Sequence, residues 1–441
     1  MKYFQVVTWP IRNFKTGMKK FLSGEAFEVV RNKNFSLFLT YRFMLTVATL
    51  MQSVIVGWQL YNITKNVLSL GMIGLTEVIP QVCIALFAGH FVDIWDRKRI
   101  MFYATFLLLF GSLILTLYSL PSFNMQQLYG VAPIFVTIFI TGLVRGILMP
   151  AHTALLGQLV PREKLTAAST WSSTVWHIAA VTGPALGGMV YGFFGIIPAY
   201  TLVFIFFLLC SVILLFIKSP GKVARIEGAA EGIFVRIKEG IVYVFQRRVL
   251  LNAFALDMFA VFFGGAVAML PVFASDILKV GPEGLGFLRA CPAVGAILMS
   301  VILTFKPPVS RSGSQMLFSV FGFGMCMIVF AFSTNFLLSS LCLFLSGVFD
   351  NVSVIIRASI LQLYTSDEMK GRVAAVNSIF IGSSNELGAF ESGVAARFMG
   401  LIPSVVFGGV MTLLIVSVTA WKSPTLRRLA LKESILPDVP E

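Results

Sequence analysis

Residues 197–218 read IPAYTLVFIFFLLCSVILLFIK, an uncharged run closed by Lys218. An α-helix of about 20 such residues crosses a hydrocarbon core of about 30 Å. A continuous apolar run, instead of a ten-residue alternation, excludes a barrel strand. Outward from this stretch, runs of the same kind recur near 35–62, 70–94, 100–120, 130–154, 168–195, 248–275, 284–304, 313–332, 336–363, 371–399 and 401–421. Only 12% of the 441 residues are charged and 57% are hydrophobic, whereas a soluble domain carries about 25% charged residues. These features predict an all-α polytopic membrane protein with 12 transmembrane helices.

The net charge of +14 would point to nucleic acid in a soluble chain. Its distribution points to a membrane. With the N-terminus in the cytoplasm, 27 of the 34 Lys and Arg fall in cytoplasmic segments, among them Arg97, Lys98, Arg99, Arg162, Lys164 and the midpoint set from Lys218 to Arg248; the opposite side holds Lys65 and Lys279. That asymmetry follows the positive-inside rule and predicts both termini in the cytoplasm. Residues 1–34 are basic and mixed, with no apolar core leading to a small-residue cleavage site, so no cleaved signal is expected. The five cysteines (Cys83, Cys210, Cys291, Cys326, Cys342) sit in apolar spans and read as small buried hydrophobes.

The one long polar interruption, near 219–247, predicts a surface linker, partly helical around Phe234–Phe245. It divides the chain into a 1–34 segment, six-helix units over 35–218 and 248–421, and a 422–441 tail. The units resemble each other. Gly74-Leu75-Thr76-Glu77-Val78-Ile79-Pro80 matches Gly286-Phe287-Leu288-Arg289-Ala290-Cys291-Pro292, and Gly142-Leu143-Val144-Arg145 matches Gly347-Val348-Phe349-Asp350. Two pseudosymmetric six-helix bundles are therefore expected, a repeat common among transporters. At matched positions the charge reverses: Glu77 against Arg289, Arg145 against Asp350 and, in a looser alignment, Arg42 against Asp257. Opposite signs at these positions are expected to neutralise each other across the pseudo-twofold axis.

Ionisable groups at membrane depth are costly unless paired or hydrated, so each is a functional candidate. Arg42, Glu77, Arg145, Asp257, Arg289, Asp350 and Arg357 are candidates for a cavity and for proton coupling, with Glu386 and Glu391 as acids of the eleventh helix. An acid whose basic neighbour moves with conformation can take up or release a proton. His90, His152 and His177 are scattered without metal-ligand spacing, so no metal is expected, and His177 reads as a packed side chain. No phosphate-binding loop, nucleophile–base pair or cofactor motif occurs; no ATP, no cofactor and no enzyme activity are expected.

The loop Gly89-His90-Phe91-Val92-Asp93-Ile94-Trp95-Asp96-Arg97-Lys98-Arg99 resembles the signature loop of the major facilitator superfamily. The resemblance implies close helix contact at Gly89, a helix-capping carboxylate at Asp93, and lipid-surface contacts from Arg97 and Lys98. Thr182-Gly183-Pro184-Ala185-Leu186-Gly187-Gly188 resembles the superfamily's antiporter motif, with Ala179 in place of its first glycine. There Gly183, Gly187 and Gly188 would permit close approach and Pro184 would bend the helix. Arg145-Gly146 matches the family's basic residue, linked by the resemblance to proton transfer. Leu256-Asp257-Met258-Phe259, Gly264-Gly265-Ala266, Leu270-Pro271-Val272-Phe273-Ala274, Met369-Lys370-Gly371-Arg372-Val373 and Ser384-Asn385-Glu386-Leu387-Gly388 resemble the enterobactin-exporter-like branch, which includes siderophore and macrolide or multidrug exporters.

The resemblance implies bundles rocking about a central cavity lined by helices 1, 4, 7 and 10. The expected activity is proton-coupled efflux of a small amphipathic molecule, a siderophore or drug, with protons and membrane lipids as partners and no nucleic acid. A lipid- or lysophospholipid-moving facilitator and an importer of the same fold are the rival readings. A sensor or scaffold would have no reason to bear the cost of the internal charges.

Overall fold

The computed structural model describes residues 28–218, 233–366 and 369–431. These residues are helical, with no strand among them. The long helices are α1 (Lys33–Thr64), α2 (Val67–Ile94), α3 (Arg97–Ser119), α4 (Ala132–Leu159), α5 (Leu165–Phe194), α6 (Ile196–Phe216), α7 (Arg248–Phe263), α8 (Gly281–Phe305), α9 (Ser312–Phe332), α10 (Phe336–Tyr364), α11 (Lys370–Met399) and α12 (Leu401–Lys422). A further helix, Ile233–Gln246, precedes α7, where the sequence predicts a helical linker.

Ten described helices are long and apolar enough to cross a membrane, not the expected twelve. The two 30-residue helices that fall short are α5 and α11. The first carries Thr166, Ser169, Thr170, Ser172, Ser173, Thr174 and His177, the second Asn385, Glu386, Glu391 and Arg397. Both pack on a helix of the other half, α5 on α8 and α11 on α2, but most of these polar side chains are exposed, so that packing does not account for their polarity.

Helix pairings repeat at a spacing of six. The pairs α1–α5, α2–α4, α3–α4, α3–α6 and α1–α6 have counterparts in α7–α11, α8–α10, α9–α10, α9–α12 and α7–α12. The repeated glycines explain the match. A Cβ on Gly142 would collide with the Glu77 carbonyl and lie 2.9 Å from the Pro80 ring, and one on Gly347 would collide with the Pro292 carbonyl. Each glycine thus seats its helix on the backbone beside the repeated proline. Gly74 and Gly286 play the second shared part. Gly74 meets the backbone of Glu386 on α11, and Gly286 meets Pro184 and Gly188 on α5.

One apolar core lies wholly within residues 29–217 and another within 244–431. A third joins Val54, Trp58, Tyr61 and Leu70 to Met269, Leu270, Phe273, Leu285 and Leu288. The halves therefore share a core at the end of the molecule where α1 turns into α2. Burying such side chains is worth about 1.5–3 kcal/mol each against water. At the opposite end, the helix Ile233–Gln246 packs on α11, with Gly240 against the Arg372 carbonyl and Glu239 paired to Arg372.

The seventh span is not one continuous helix. After α7 the chain passes through a 3-10 segment, Gly265–Met269, a helical turn, Leu270–Val272, and a π turn, Phe273–Ile277. Pro271 lacks the N–H that a continuous helix needs, and Gly265 lets the backbone approach the Gly388 carbonyl and the Ser392 hydroxyl.

A charged site between the halves

α2, α4 and α11 bring three charges together. Arg145, mid-way along α4, donates through Nη1 to Glu77 on α2 and to Oε1 of Glu386 on α11 at 2.8 Å. Gly142, one turn away, permits this approach to α2, and Gly74 does the same between α2 and α11. Glu77 and Glu386 are largely buried, yet 41% of the Arg145 side chain is accessible. Arg145 thus keeps part of its side chain accessible where α4 meets α11.

A second charged cluster is internal to the C-terminal half. Asp257 on α7 pairs with Arg357 on α10, each side chain only 6% exposed. Asp350, two turns before Arg357, shares a small cavity with Asp257, Ala260, Val261, Val320, Phe323 and Ser353.

The charge-reversed positions do not pair as expected. Glu77 and Arg145 bond within one half and Asp257 bonds Arg357 within the other, because α2–α4 and α7–α10 are neighbours in the same packing unit. Arg289 instead donates to the Ser53 hydroxyl on α1 at 3.3 Å. Of Arg42, Arg145, Asp257, Asp350 and Arg357, expected in one cavity, Asp257 and Asp350 share the small cavity inside the C-terminal half. Asp257 and Arg357 are buried against each other, and Arg145 faces Glu77 and Glu386 instead. Glu391 accepts from the Ser392 hydroxyl at 3.4 Å.

The small residues of α5 divide their work. Gly183 and Gly187 face Val47, Leu50 and Met51 of α1, while Gly188 faces Pro282 and Gly286 of α8 and Pro184 presents its carbonyl to Gly286. One motif thus serves contacts within a half and between halves. Other links between halves lie at the same end: Gly71 on Gly393, Gly57 beside Pro271, and the Tyr61 hydroxyl donating to Asp276. The last of these was not among the sequence candidates. Tyr61 lies in an apolar run, and Asp276 reads as a loop acid until the π turn carries it to α1.

The side chains of Gly89, His90 and Asp93 lie outside the described residues. The carboxylate that caps α3 is Asp96, accepting from the Lys98 N–H at 2.8 Å. Arg97 and Lys98, expected at the lipid surface, donate to the carbonyls of Ala154 and Leu215 at 3.3 and 3.0 Å. Carbonyls in the last turn of a helix such as α6 lack intrahelical donors and attract cations. His177 lies edge-on to Trp176, with ring centres 5.1 Å apart. Four of the five cysteines are buried, and Cys83 is exposed. Among the described residues no group of His, Cys, Asp and Glu is arranged to hold a metal ion.

Known proteins share this architecture. A crystal structure of a POT-family transporter with a thioalcohol-conjugated peptide superposes with a TM-score of 0.70 at 12% identity, over 89% of this chain and 96% of that one. The staphyloferrin A transporter of Staphylococcus aureus is 20% identical over 90% of this chain and 98% of its own length. Macrolide efflux protein A of Streptococcus pyogenes is 19% identical over 81% of this chain and 87% of its own. A Na(+), Li(+), K(+)/H(+) antiporter of Planococcus maritimus is 22% identical over 70% of this chain and 78% of its own. Residues 25–435 match the transmembrane secretion effector family, and the chain belongs to this family of integral membrane transporters within the major facilitator superfamily.

Proposed function

We propose that this transporter is a proton-coupled exporter of a small amphipathic molecule, a siderophore or drug, working by alternating access. In this reading twelve spans form two six-helix bundles, 35–218 and 248–421, in a bacterial inner membrane with both termini cytoplasmic. The contacts gathered at the α1–α2 end then close the outward side, and the space beside Arg145 opens inward. The observation that carries the reading is the bridge from Glu77 and Arg145 to Glu386. It joins the halves through ionisable groups at mid-depth, so rocking the halves apart must break it. A proton on Glu386 weakens its hold on Arg145, which links protonation to the rocking motion. The efflux relatives favour export; a lipid-moving role or import has no observation in its favour.

Mass spectrometry of spent medium, from cells with and without the gene, in iron-poor and iron-replete culture, tests the substrate. A chelator missing only from the iron-poor deletion culture identifies a siderophore exporter. A compound missing from deletion cultures regardless of iron identifies another exported molecule. Media that match in every condition, together with membrane vesicles that accumulate no dye under a pH gradient, would overturn the export reading.

A further inference from the structure

We infer that Arg42 on α1 is the anchor for a negatively charged group, a carboxylate or phosphate-like oxyanion, on the transported molecule, so that the cargo is an anionic amphipath. This rests on the transport reading above and adds the sign of the substrate. Arg42 is nine residues into α1, about 14 Å along the helix axis. It shares a stripe with Thr46, Thr49, Ser53 and Gly57, at spacings of three and four residues that place them on one face. That face meets the other half: Ser53 accepts from Arg289 and Gly57 lies beside Pro271. Ser53 is nonetheless exposed, so this face keeps an accessible surface where it meets that half.

The site is incomplete as it stands. Arg42 has a buried Nε with no partner, and no ion pair or side-chain hydrogen bond reaches it from the described residues. Beside it, His152 of α4 lies edge-on to Phe38 and Tyr41, with ring centres 6.2 and 5.7 Å away, and its Nε2 is also buried and unpartnered. Among the described residues Arg145 and Arg357 have carboxylate partners, and Arg289 has the Ser53 hydroxyl while its own Nε is also buried and unpartnered. Of these four, Arg42 is the arginine with no side-chain acceptor at all among the described residues, and a cation held inside the bundle at this cost calls for an anion. A guanidinium also matches an oxyanion with two parallel hydrogen bonds. The carboxylates do not compete for the same role: Glu77 and Glu386 are taken up by Arg145, and Asp257 with Asp350 lies inside the C-terminal half.

The test uses the full chain purified in detergent and two fluorescent amphipaths of similar size, anionic carboxyfluorescein and cationic rhodamine 123, with binding read by anisotropy. Wild type is expected to prefer the anion. Arg42→Ala is expected to weaken anion binding by at least about tenfold, the scale of one hydrogen bond to a charged group. Arg42→Lys should fall between, since an ammonium keeps the charge and loses the planar fork. Arg397→Ala, an exposed control, should change nothing, and rhodamine binding should be indifferent to all three. The proposal is overturned if wild type shows no preference for the anion, or if Arg42→Ala binds it as tightly as wild type. The wild-type preference needs no variant, so a poorly folding Arg42→Ala leaves the test intact. Arg42-dependent binding without pH-driven flux in proteoliposomes would sink the transport reading alone.

Discussion

Oε1 of Glu386, on α11, lies 2.8 Å from Nη1 of Arg145, on α4, across the boundary between the two halves. The same nitrogen serves Glu77 on α2. Arg145 therefore stays paired within its own half when the halves separate, while Glu386 loses its hydrogen-bonded partner and keeps the more distant Arg289 of its own half. An acid whose nearest cation comes and goes is where a proton most readily enters such a cycle.

Glu386→Gln should accordingly uncouple transport from the pH gradient. A charge-assisted hydrogen bond is worth about 1.5–3 kcal/mol, so gradient-driven flux should fall by about tenfold to a hundredfold, while the melting temperature stays near wild type. The check is flux in proteoliposomes with and without an imposed gradient. A variant that still responds fully to the gradient would remove Glu386 from the coupling step.

Asp257→Asn is expected to act differently, through stability. Asp257 and Arg357 are each 6% exposed, and removing one partner of a buried pair costs about 3–5 kcal/mol because a buried charge is left uncompensated. Asp257→Asn should therefore unfold at clearly lower denaturant in detergent, and Asp257→Asn with Arg357→Gln should recover most of the loss. A single variant with wild-type stability but no gradient-driven flux would return Asp257 to the coupling mechanism.

This contrast shows how far the sequence is legible. Hydropathy locates the helices to within a few residues because lipid imposes both length and polarity. The repeats Gly74 with Gly286 and Gly142 with Gly347 anticipate the packing, since each occurs where a backbone must come close. Charge partners are not legible, because pairing depends on which helices are neighbours. Glu77 finds Arg145 rather than Arg289, and Asp257 finds Arg357 rather than Arg42. The helices that touch across the halves, α5 and α11, are also the ones too polar to read as ordinary spans.

Tyr61→Phe removes the hydroxyl that donates to Asp276 and leaves the ring in the shared core. With the site half-buried, the loss should be about 1 kcal/mol, the net value of a typical hydrogen bond. Opening at this end should become roughly fivefold more populated, read as faster amide exchange in the π turn Phe273–Ile277. Unchanged exchange there would mean that the bond does not hold the halves together.

Gly188 should be the strictest position at that end. A Cβ there would sit 2.5 Å from the Pro282 carbonyl oxygen and 2.7 Å from the Gly286 Cα, both backbone atoms that cannot step aside alone. Gly188→Val should therefore hold α5 away from α8 and keep the α1–α2 end open. Transport should then be lost although the protein still inserts. The readout is a cysteine at Ser53, on a background with Cys83 replaced by Ser, labelled with a membrane-impermeant maleimide. Labelling from the side nearer the α1–α2 turn should rise several-fold in Gly188→Val over the same background with Gly188. Equal labelling with normal transport would mean that α5 and α8 need not meet at Gly188 during the cycle.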